Sequence, residues 1–412
     1  MPESKVSQDR LALMQYMAEK HEMMLAKTEQ LANINSGSYN NDGIQSVQEA
    51  FHHLFSPLSE TAETIQLAPL ELVDDQGSIN QFPTRPMQVF KARPDAPLQI
   101  LMTGHSDTVF PKESSFQSCW VEGNLLRGPG TADMKGGFVV LAAALEYLNQ
   151  SEFKNDFGFT VAISPDEEIG SIASAPVLMD LAKQAHYGMT YEPALSDGTL
   201  AGARKGSGNF TLTAKGLSTH AGREFFEGRN AVLAIAMAAH RFSQVTDKEK
   251  GITLNIGKIS GGGAVNIVPD NCVCRFNVRV HETEHMALVQ DHLDKVIQEV
   301  EQATGCELKL HGHFNRPPKP MTDKQLEMFE LLRACGKDLG IDIQWKATGG
   351  CCEGNNLAAA GLLNIDTLGV RGANIHTDQE YACIDSFPER AALSVTLIEK
   401  LIQLNKQENE KC

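Results

Sequence analysis

A chain of 412 residues, 42% of them hydrophobic and 21% charged, is long enough for a packed core and for two or more domains. Its net charge of −16 argues against nucleic acid or an anionic membrane surface as the main partner. No apolar run approaches the roughly 18 residues of a membrane span, and the start lacks the basic and apolar regions of a signal peptide. The nine cysteines contain no C-x-x-C pair. A reduced, cytoplasmic protein without a thiolate zinc site is therefore expected.

The first half of the chain alternates helices and strands. Helical spacing of apolar residues predicts one helix over about 7–31. Strands are expected at Leu98–Met102, Phe157–Ile163 and Tyr187–Tyr191. An almost wholly apolar helix at Phe138–Leu148 should be buried. This alternation predicts an α/β sheet with helices on both faces, and the site of such a sheet lies beyond the carboxyl ends of its strands.

The pattern changes after Lys205. The expected elements, in the order strand, helix, strand, strand, helix, strand, are Asn209–Ala214, Ala231–Phe242, Ile252–Ile259, Cys272–Val280, 286–303 and Glu307–Leu310. This order is the split β-α-β, or ferredoxin-like, arrangement, which is a complete small domain placed inside the first one. Strict alternation puts Cys272, Cys274 and Phe276 on one buried strand face. Arg316–Pro320, rich in proline, is expected to be a stiff exit linker.

The α/β pattern then resumes. Its expected elements are a helix at Asp323–Leu339, an alanine-rich helix near Leu357–Ala360, a strand at Leu363–Leu368 and a closing helix at Pro388–Leu404. The polar end, 405–412, is expected to be frayed. These patterns predict a discontinuous α/β domain made of residues 1–205 and 315–412, with residues 206–314 as an inserted domain.

Three consecutive acids, Asp166, Glu167 and Glu168, stand where the Phe157–Ile163 strand ends. Adjacent carboxylates repel each other and resist desolvation, so they lie inside a protein only if a cation holds them there. Taken alone, the run is better explained as a solvated acidic loop. However, His105 and Glu192 also follow strand ends. The strand ends therefore indicate a metal site.

The candidate metal ligands are His105, Asp133, Glu168, Glu192 and His376. Two imidazoles and three carboxylates suit Zn²⁺, Co²⁺ or Mn²⁺ better than Ca²⁺ or Mg²⁺, which favour all-oxygen ligands. Two such ions, about 3.5–4 Å apart, are typical of hydrolases that activate water, and one carboxylate can bridge them.

Two acids remain beside these ligands. Asp107 lies two residues after His105, where it can accept the imidazole N–H and fix the tautomer. Glu167 is free to act as a general base, which takes a proton from water and passes it to a leaving amine. The residues themselves thus favour amide hydrolysis.

Seven motifs in chain order resemble the signatures of the M20 metallopeptidases. They are His105–Asp107, Gly130–Gly137, Asp166–Gly170, Glu192–Pro193, Ser218–Gly222, Gly261–Pro269 and His376. The resemblance covers about residues 30–400. Within the family, the segments Asn33–Tyr39 and Gly372–His376 are most similar to the glutamate carboxypeptidase branch.

The resemblance implies an α/β/α catalytic domain of the dizinc exopeptidase type, with residues 206–314 as a ferredoxin-like lid and dimerisation domain. The implied enzyme is a zinc-dependent carboxypeptidase that removes a C-terminal amino acid from a small peptide or N-acyl amino acid. Its cofactor would be two Zn²⁺ ions, with Co²⁺ or Mn²⁺ as alternatives for the same ligands. It implies that Asp133 bridges the two ions and that Glu167 is the base. The remaining ligands would divide into two pairs, His105 with Glu192 and Glu168 with His376. In relatives the peptide bond after Asp133 is cis.

The resemblance also gives roles to the inserted domain. His220 would reach the active site of the partner subunit in a homodimer and stabilise the tetrahedral oxyanion. Asn266 and Arg279 would hold the substrate carboxylate. Arg279 shares a strand face with Arg275 and Asn277, and arginine forks suit carboxylates. Without the family, His220 is equally a turn residue and Arg279 a salt bridge at the rim.

Two alternatives remain open. One is a deacylase for an N-acylated biosynthetic intermediate, similar to acetylornithine deacetylases and desuccinylases, with the same metals and a different pocket. The other is a metal-binding or peptide-binding protein without turnover, against which the intact Glu167 and the five ligands argue. Gly349–Asn355 departs from the family, in which small or hydroxyl residues and an Asp are usual. Because this loop is expected to line the substrate end of the site, the departure affects which substrate is bound more than how the amide bond is hydrolysed.

Overall fold

The computed structural model describes residues 7–410. The helices are α1 (Gln8–Glu19), α2 (His21–Ala32), α3 (Asn41–Phe55), α4 (Gly136–Gln150), α5 (Ala175–Ala182), α6 (Ala231–Ser243), α7 (Glu284–Thr304), α8 (Asp323–Leu339), α9 (Glu353–Ala359) and α10 (Ser386–Asn409). The strands are β1 (Thr61–Ile65), β2 (Leu70–Val73), β3 (Ile79–Phe82), β4 (Met87–Ala92), β5 (Leu98–His105), β6 (Trp120–Glu122), β7 (Leu125–Arg127), β8 (Phe157–Ser164), β9 (Tyr187–Thr190), β10 (Ala194–Leu195), β11 (Leu200–Arg204), β12 (Gly206–Lys215), β13 (Thr253–Gly261), β14 (Asn271–Val280), β15 (Glu307–Arg316), β16 (Trp345–Thr348), β17 (Asn364–Ile365), β18 (Arg371–Ala373) and β19 (Tyr381–Cys383).

The largest sheet has six strands in the order β1-β4-β8-β5-β9-β17. The four strands from β8 to β17 are parallel, and β4 and β1 extend the sheet in the antiparallel sense. Both central strands, β5 and β8, are almost wholly buried, as expected of parallel strands covered on both faces. Their apolar runs therefore pack against two helical layers instead of one.

The two layers use opposite sides of the same strands. On one side α4 and α10 pack together, and Ile100 and Phe159 of the sheet join their core. On the other side Leu101 and Ala162 contact a smaller core that includes Leu178 of α5. The predicted α/β fold with helices on both faces is confirmed.

A second core surrounds the sheet β13-β14-β12-β15, which is antiparallel throughout. Helices α6 and α7 pack on this sheet. The strand order is that of the split β-α-β arrangement, as predicted. Cys272, Cys274 and Phe276 are 0%, 0% and 3% exposed, so the predicted buried face of β14 is confirmed.

Several element boundaries differ from the sequence-based expectations. The helix predicted over 7–31 is two helices separated at Lys20. The strand predicted at Leu363–Leu368 is reduced to β17. The closing helix continues to Asn409, so the expectation of a frayed end is wrong for residues 405–409. Residues 411–412 lie outside the described part of the chain.

The segment Arg316–Pro320 is not the simple spacer that its prolines predict. Arg316 is the last residue of β15, and Lys319 is 1% exposed. The Lys319 ammonium lies 2.9 Å from an Asp366 carboxylate oxygen, and Arg204 pairs with the same carboxylate at 2.8 Å. Proline fixes the backbone here, while buried cations hold the segment against the main sheet.

Among residues 7–410 no helix combines the length and the apolar character needed to cross a membrane.

The start of α4 depends on glycine for close packing. A Cβ atom on Gly137 would lie 2.1 Å from the carbonyl oxygen of Tyr191, the residue that precedes Glu192. We predict that Gly137→Ala lowers the thermal unfolding midpoint, at a cost of about 1–3 kcal/mol for overpacking. The sign is diagnostic because glycine to alanine within a helix ordinarily stabilises it. Gly263→Ala, where a Cβ would have no neighbour within 4 Å, is the matched control. Equal midpoints for the two variants would contradict the packing argument.

Candidate metal centre and active site

The sheet topology brings three strand ends together. β5 lies between β8 and β9, and His105 at the end of β5 is in register with Ser164 at the end of β8. Glu167 and Glu168 follow β8, and Glu192 follows β9. Since parallel strands end at the same edge, all of these side chains leave the sheet on one side. Asp133 and His376 come to the same edge from two loops.

Asp133 lies between the two histidines. Its Oδ1 is 3.1 Å from His105 Nε2, and its Oδ2 is 3.2 Å from His376 Nε2. Glu192 Oε1 lies 3.7 Å from His105 Nε2, and Glu168 Oε2 lies 3.2 Å from His376 Nε2. The five predicted ligands thus come together as two pairs, with one carboxylate between them. The Asp133–Met134 peptide bond is cis.

The electrostatics of this cluster fit a cation. Burial, together with the nearby Asp133 charge, raises the pKa of Glu168 to about 8 and that of Glu192 to about 7. Hydrogen bonds to Asp133 and Glu168 raise the pKa of His376 to about 11. In the absence of metal the carboxylates therefore attract protons. Converging imidazole nitrogens and carboxylate oxygens are the donors that zinc-like ions bind.

Asp107 has a different set of partners from the one expected. The His105 Nδ1–H donates to the Asp107 backbone carbonyl at 2.9 Å, while the Asp107 carboxylate lies 3.5 Å away. The carboxylate instead accepts the backbone N–H groups of Glu167 and Glu168 at 3.0 and 3.1 Å, and the Ser38 hydroxyl at 2.7 Å. The backbone of Asp107 fixes the imidazole, and its side chain fixes the acidic loop.

The three consecutive acids diverge. The Asp166 carboxylate turns away from the cluster and accepts the backbone N–H groups of Ala173 and Ser174 at 2.7 and 3.3 Å, at the entrance to α5. Glu167 is buried beside Arg316, whose Nη2 lies 2.6 Å from Glu167 Oε1. A Glu167 oxygen also lies within 4.8 Å of ligand atoms of His105 and Glu192. Only Glu168 faces His376.

Sequence reasoning missed two buried acids near the cluster. Glu380, 1% exposed, accepts the backbone N–H groups of Ala132 and Asp133 at 3.0 Å each, and burial raises its pKa to about 7. Glu353 is 0% exposed, and burial raises its pKa well above the usual range. Glu380 fixes the backbone of the central carboxylate. In the sequence, the only indication of this role was that Glu380 lies four residues after the candidate ligand His376.

The proposed substrate-binding residues are divided. Arg279 lines a cleft of about 370 Å³ that also contains Glu167, Glu192 and His376. Its Nη1 lies 3.1 Å from Cys351 Sγ and its Nε bonds Asn277. Arg279 of β14 therefore lies on the wall of the cleft, on the same strand face as Asn277, as predicted.

His220 and Asn266 lie outside the cleft that Arg279 lines. Both are exposed on adjacent loops, where the Ala221 N–H donates to the Asn266 carbonyl at 2.9 Å. Among the described residues that line the cleft, neither of the two is present. Within this one chain, Arg279 therefore lines the cleft and Asn266 does not.

Two further basic residues, Arg371 and Lys205, make contacts within the chain. Arg371 pairs with Asp385 at 2.8 Å and lies 3.4 Å from Glu389, so structural pairing accounts for it. Lys205 contributes its backbone carbonyl, which accepts the Cys351 thiol at 2.9 Å. The Cys352 thiol accepts the Gly354 N–H at the start of α9, and burial raises the pKa of both thiols. Neither thiol has the lowered pKa of a reactive cysteine.

A cluster of two imidazoles and largely buried carboxylates at the strand ends of an α/β/α sheet, with a further glutamate beside it, defines a metal-dependent hydrolase. Residues 101–400 match peptidase family M20/M25/M40. The chain belongs to this family.

The proteins similar in sequence include a carboxypeptidase and desuccinylases. Carboxypeptidase G2 of Pseudomonas sp. (strain RS-16) is 26% identical over 396 residues, covering 94% of this chain and 91% of that protein. Succinyl-diaminopimelate desuccinylase of Psychrobacter sp. (strain PRwf-1) is 28% identical over 301 residues, covering 68% and 73%.

Solved structures have the same fold. A tripeptidase from Staphylococcus aureus subsp. aureus Mu50 aligns with a TM-score of 0.72 at 21% identity, covering 93% of this chain and 99% of that one. An M20 family metallo-carboxypeptidase from Sulfolobus solfataricus aligns with a TM-score of 0.70 at 15% identity, covering 91% and 98%. The predicted family and fold class are confirmed.

The raised pKa values determine whether the stability of the metal-free protein rises or falls with pH. Glu168, Glu192 and Glu380 keep protons in the folded state that the unfolded chain loses near pH 4.5, so folding loses stability as the pH rises towards 7 or 8. The raised pKa of His376 acts in the same direction, because its contribution is complete below about pH 6.5 and fades towards pH 11.

We therefore predict that the thermal midpoint of the chelator-treated protein falls between pH 6.5 and 8. Each group that changes its protonation on unfolding contributes up to about 1.4 kcal/mol per pH unit. Saturating Zn²⁺ displaces these protons and should flatten the slope. Calorimetry at several pH values, with and without metal, measures both slopes. A metal-free protein that becomes more stable over this range would contradict the description of the cluster.

Proposed function

We propose that this chain is a dizinc exopeptidase that removes the C-terminal amino acid from a small peptide or an N-acyl amino acid. The observation that carries the proposal is the position of Asp133, whose two oxygens face two different histidines, with Glu167 buried next to the cluster. One carboxylate between two sets of nitrogen and oxygen donors suits a pair of divalent ions.

The proposed ligand roles follow the pairs of contacts. Asp133 would be shared, His105 and Glu192 would hold one ion, and Glu168 and His376 the other. Zinc is proposed because the set mixes imidazoles with carboxylates, a donor set that Co²⁺ and Mn²⁺ also accept. When bound, such ions polarise a carbonyl group and lower the pKa of water.

The chain's own residues would move the proton and hold the substrate. Glu167 would take a proton from the attacking water and deliver it to the leaving amine. Asp107 would hold the backbone of Glu167 and the imidazole of His105 in place. Arg279, on the wall of the cleft, would bind the carboxylate of the leaving amino acid through its guanidinium fork.

We also propose that residues 1–205 with 315–412 form the catalytic domain and that residues 206–314 form a lid that dimerises. Support comes from large apolar side chains exposed around His220 and Asn266. Phe226 and Val265 are 98% and 101% exposed, and Ile267, next to Asn266, is 47% exposed. Apolar groups so close together favour contact with a second copy. His220 and Asn266 would then both enter the partner's cleft, His220 to stabilise the oxyanion.

A cytoplasmic location is proposed from the thiols. The eight cysteines within residues 7–410 are all free, as is usual in a reducing compartment. The acidic net charge continues to favour a small substrate over nucleic acid or a membrane surface.

A second candidate is deacylation of an N-acylated biosynthetic intermediate. The desuccinylases among the relatives favour it, and the same ligands and base would serve. The cleft wall around Cys351 and Arg279 would then accommodate a different acyl or amine group. Binding without turnover is disfavoured, because Glu167 has no metal-ligand role in the proposed pairs and is nevertheless buried with its own ion pair.

The proposal predicts metal-dependent release of an amino acid. The panel comprises dipeptides, N-benzoyl, N-acetyl and N-succinyl amino acids, with acidic, basic and apolar leaving groups. Glu167→Gln should retain both metals and lose at least about 10²-fold in kcat, because general base catalysis contributes about 10²–10⁴-fold. Metal analysis accompanies each assay. Loss of metal in Glu167→Gln would refute its assignment as base, and no release from any substrate would refute the hydrolase.

The dimer proposal predicts complementation between two inactive variants. His220→Ala and Glu167→Ala homodimers should each be inactive or nearly so. After subunits are exchanged, about one quarter of the sites should be intact, since half of the dimers are mixed and each carries one complete site. Rates before and after exchange measure this. Recovery of no activity, or a fully active monomer, would contradict a role for His220 in the partner's site.

A further inference from the structure

Arg316 contacts Glu167 at both ends of that residue. Its Nη2 lies 2.6 Å from Glu167 Oε1 and donates to the Glu167 backbone carbonyl at 2.5 Å. The same nitrogen is 3.1 Å from Ser171 Oγ, and Nη1 donates to the Cys351 carbonyl at 3.3 Å. One guanidinium thus joins the acidic loop, the turn before α5 and the loop before α9.

The pairing is specific among the buried cations of this region. Arg204 and Lys319 both bind Asp366, and they remain outside the acidic cluster. Arg316, 8% exposed, pairs with a residue of the cluster itself. A buried guanidinium costs several kcal/mol unless its charge and its donors are matched. Burial would lower the pKa of Arg316, but the surrounding acidic groups, of which Glu167 contributes most, together raise it.

We infer that Arg316 is a positioning residue for Glu167, which rests on the proposed role of Glu167 as general base. A glutamate has three rotatable side-chain bonds, and a base must present one oxygen at a fixed point. Arg316 holds Oε1 and the backbone carbonyl, and leaves Oε2 for proton transfer. Without it, Glu167 would be an unpaired buried acid among Glu168, Glu192 and Asp133, and would turn away from them.

The main competing role is direct substrate binding, because Arg316 and Arg279 both line the cleft. The two roles affect kinetics differently. Loss of a positioning contact lowers kcat with little change in KM, whereas loss of a substrate contact made equally in ground and transition states raises KM. A positioning residue also acts through Glu167, so its removal should matter little once Glu167 is impaired.

The test compares Arg316→Ala, Arg316→Lys and the matched control Lys319→Ala, assayed with the best substrate of the panel. Arg316→Ala should lower kcat about 10²-fold, as expected of a misplaced catalytic group. KM should change less than about threefold, with both metals retained. Low concentrations of guanidinium chloride should restore part of the rate, and Arg316→Lys should keep an intermediate kcat. Lys319→Ala should lower the thermal midpoint, because it removes one of the two cations that pair with Asp366. It should leave kcat near the wild-type value, because Asp366 retains its ion pair with Arg204.

Three results would overturn the inference: a raised KM with unchanged kcat, an equal loss of kcat in Lys319→Ala, or a full Arg316→Ala effect in a Glu167→Asp background. If Arg316→Ala does not fold, Arg316→Lys and its Glu167→Asp double variant decide by the same criteria. An inactive wild type would instead refute the proposed function, so the two failures are distinguishable.

Discussion

The cost of burying negative charge governs the site. Many acidic side chains with little or no exposure lie around the strand ends, among them Asp107, Asp133, Asp166, Glu167, Glu168, Glu192, Glu353 and Glu380. Each buried carboxylate needs hydrogen bonds, a counter-charge or a proton. Backbone N–H groups bind the Asp107 carboxylate and one oxygen of Asp166, and Arg316 pairs with Glu167. Burial raises the pKa of Glu353 well above its usual range, which favours the neutral form of this acid.

Among the proposed metal ligands, Glu168 and Glu192 are the acids that the protein does not sufficiently compensate. Their pKa values are raised to about 8 and about 7, although each has a histidine beside it. Divalent ions would remove this cost and would use the same oxygens as ligands. The arrangement thus explains why a metal site and an adjacent base can share one short loop: the polypeptide gives Asp166 backbone hydrogen bonds and Glu167 a counter-charge, and leaves Glu168 for the metal.

The position of the site was predictable from the sequence, because parallel strands end at one edge of a sheet and candidate metal-binding residues follow those ends. The convergence of His105, Glu168 and Glu192 followed from these strand ends, whereas Asp133 and His376 come from loops. The separate sheet and its topology followed from the order of elements after Lys205. Arg316 was missed because prolines around it suggested a spacer, and side-chain direction is not visible in a Pro-rich pattern. The break at Lys20 has no glycine or proline to signal it. The separation of His220 and Asn266 from the cleft was not predictable, because it depends on how the inserted domain is placed in three dimensions.

The loop at Gly349–Asn355 contributes residues to the wall of the cleft. Cys351 contacts Arg279, Cys352 begins α9, and Glu353 is wholly buried. The loop therefore shapes the wall of the cleft without contributing to the cluster. This separation is consistent with a family in which carboxypeptidases and desuccinylases occur among the relatives of one chain.

The most direct test of the central claim is anomalous X-ray diffraction from crystals of the zinc-loaded protein. The account predicts two zinc peaks, about 3.5–4 Å apart, on either side of Asp133. One peak should contact His105 and Glu192, and the other Glu168 and His376. A single peak, or zinc bound away from Asp133, would contradict it.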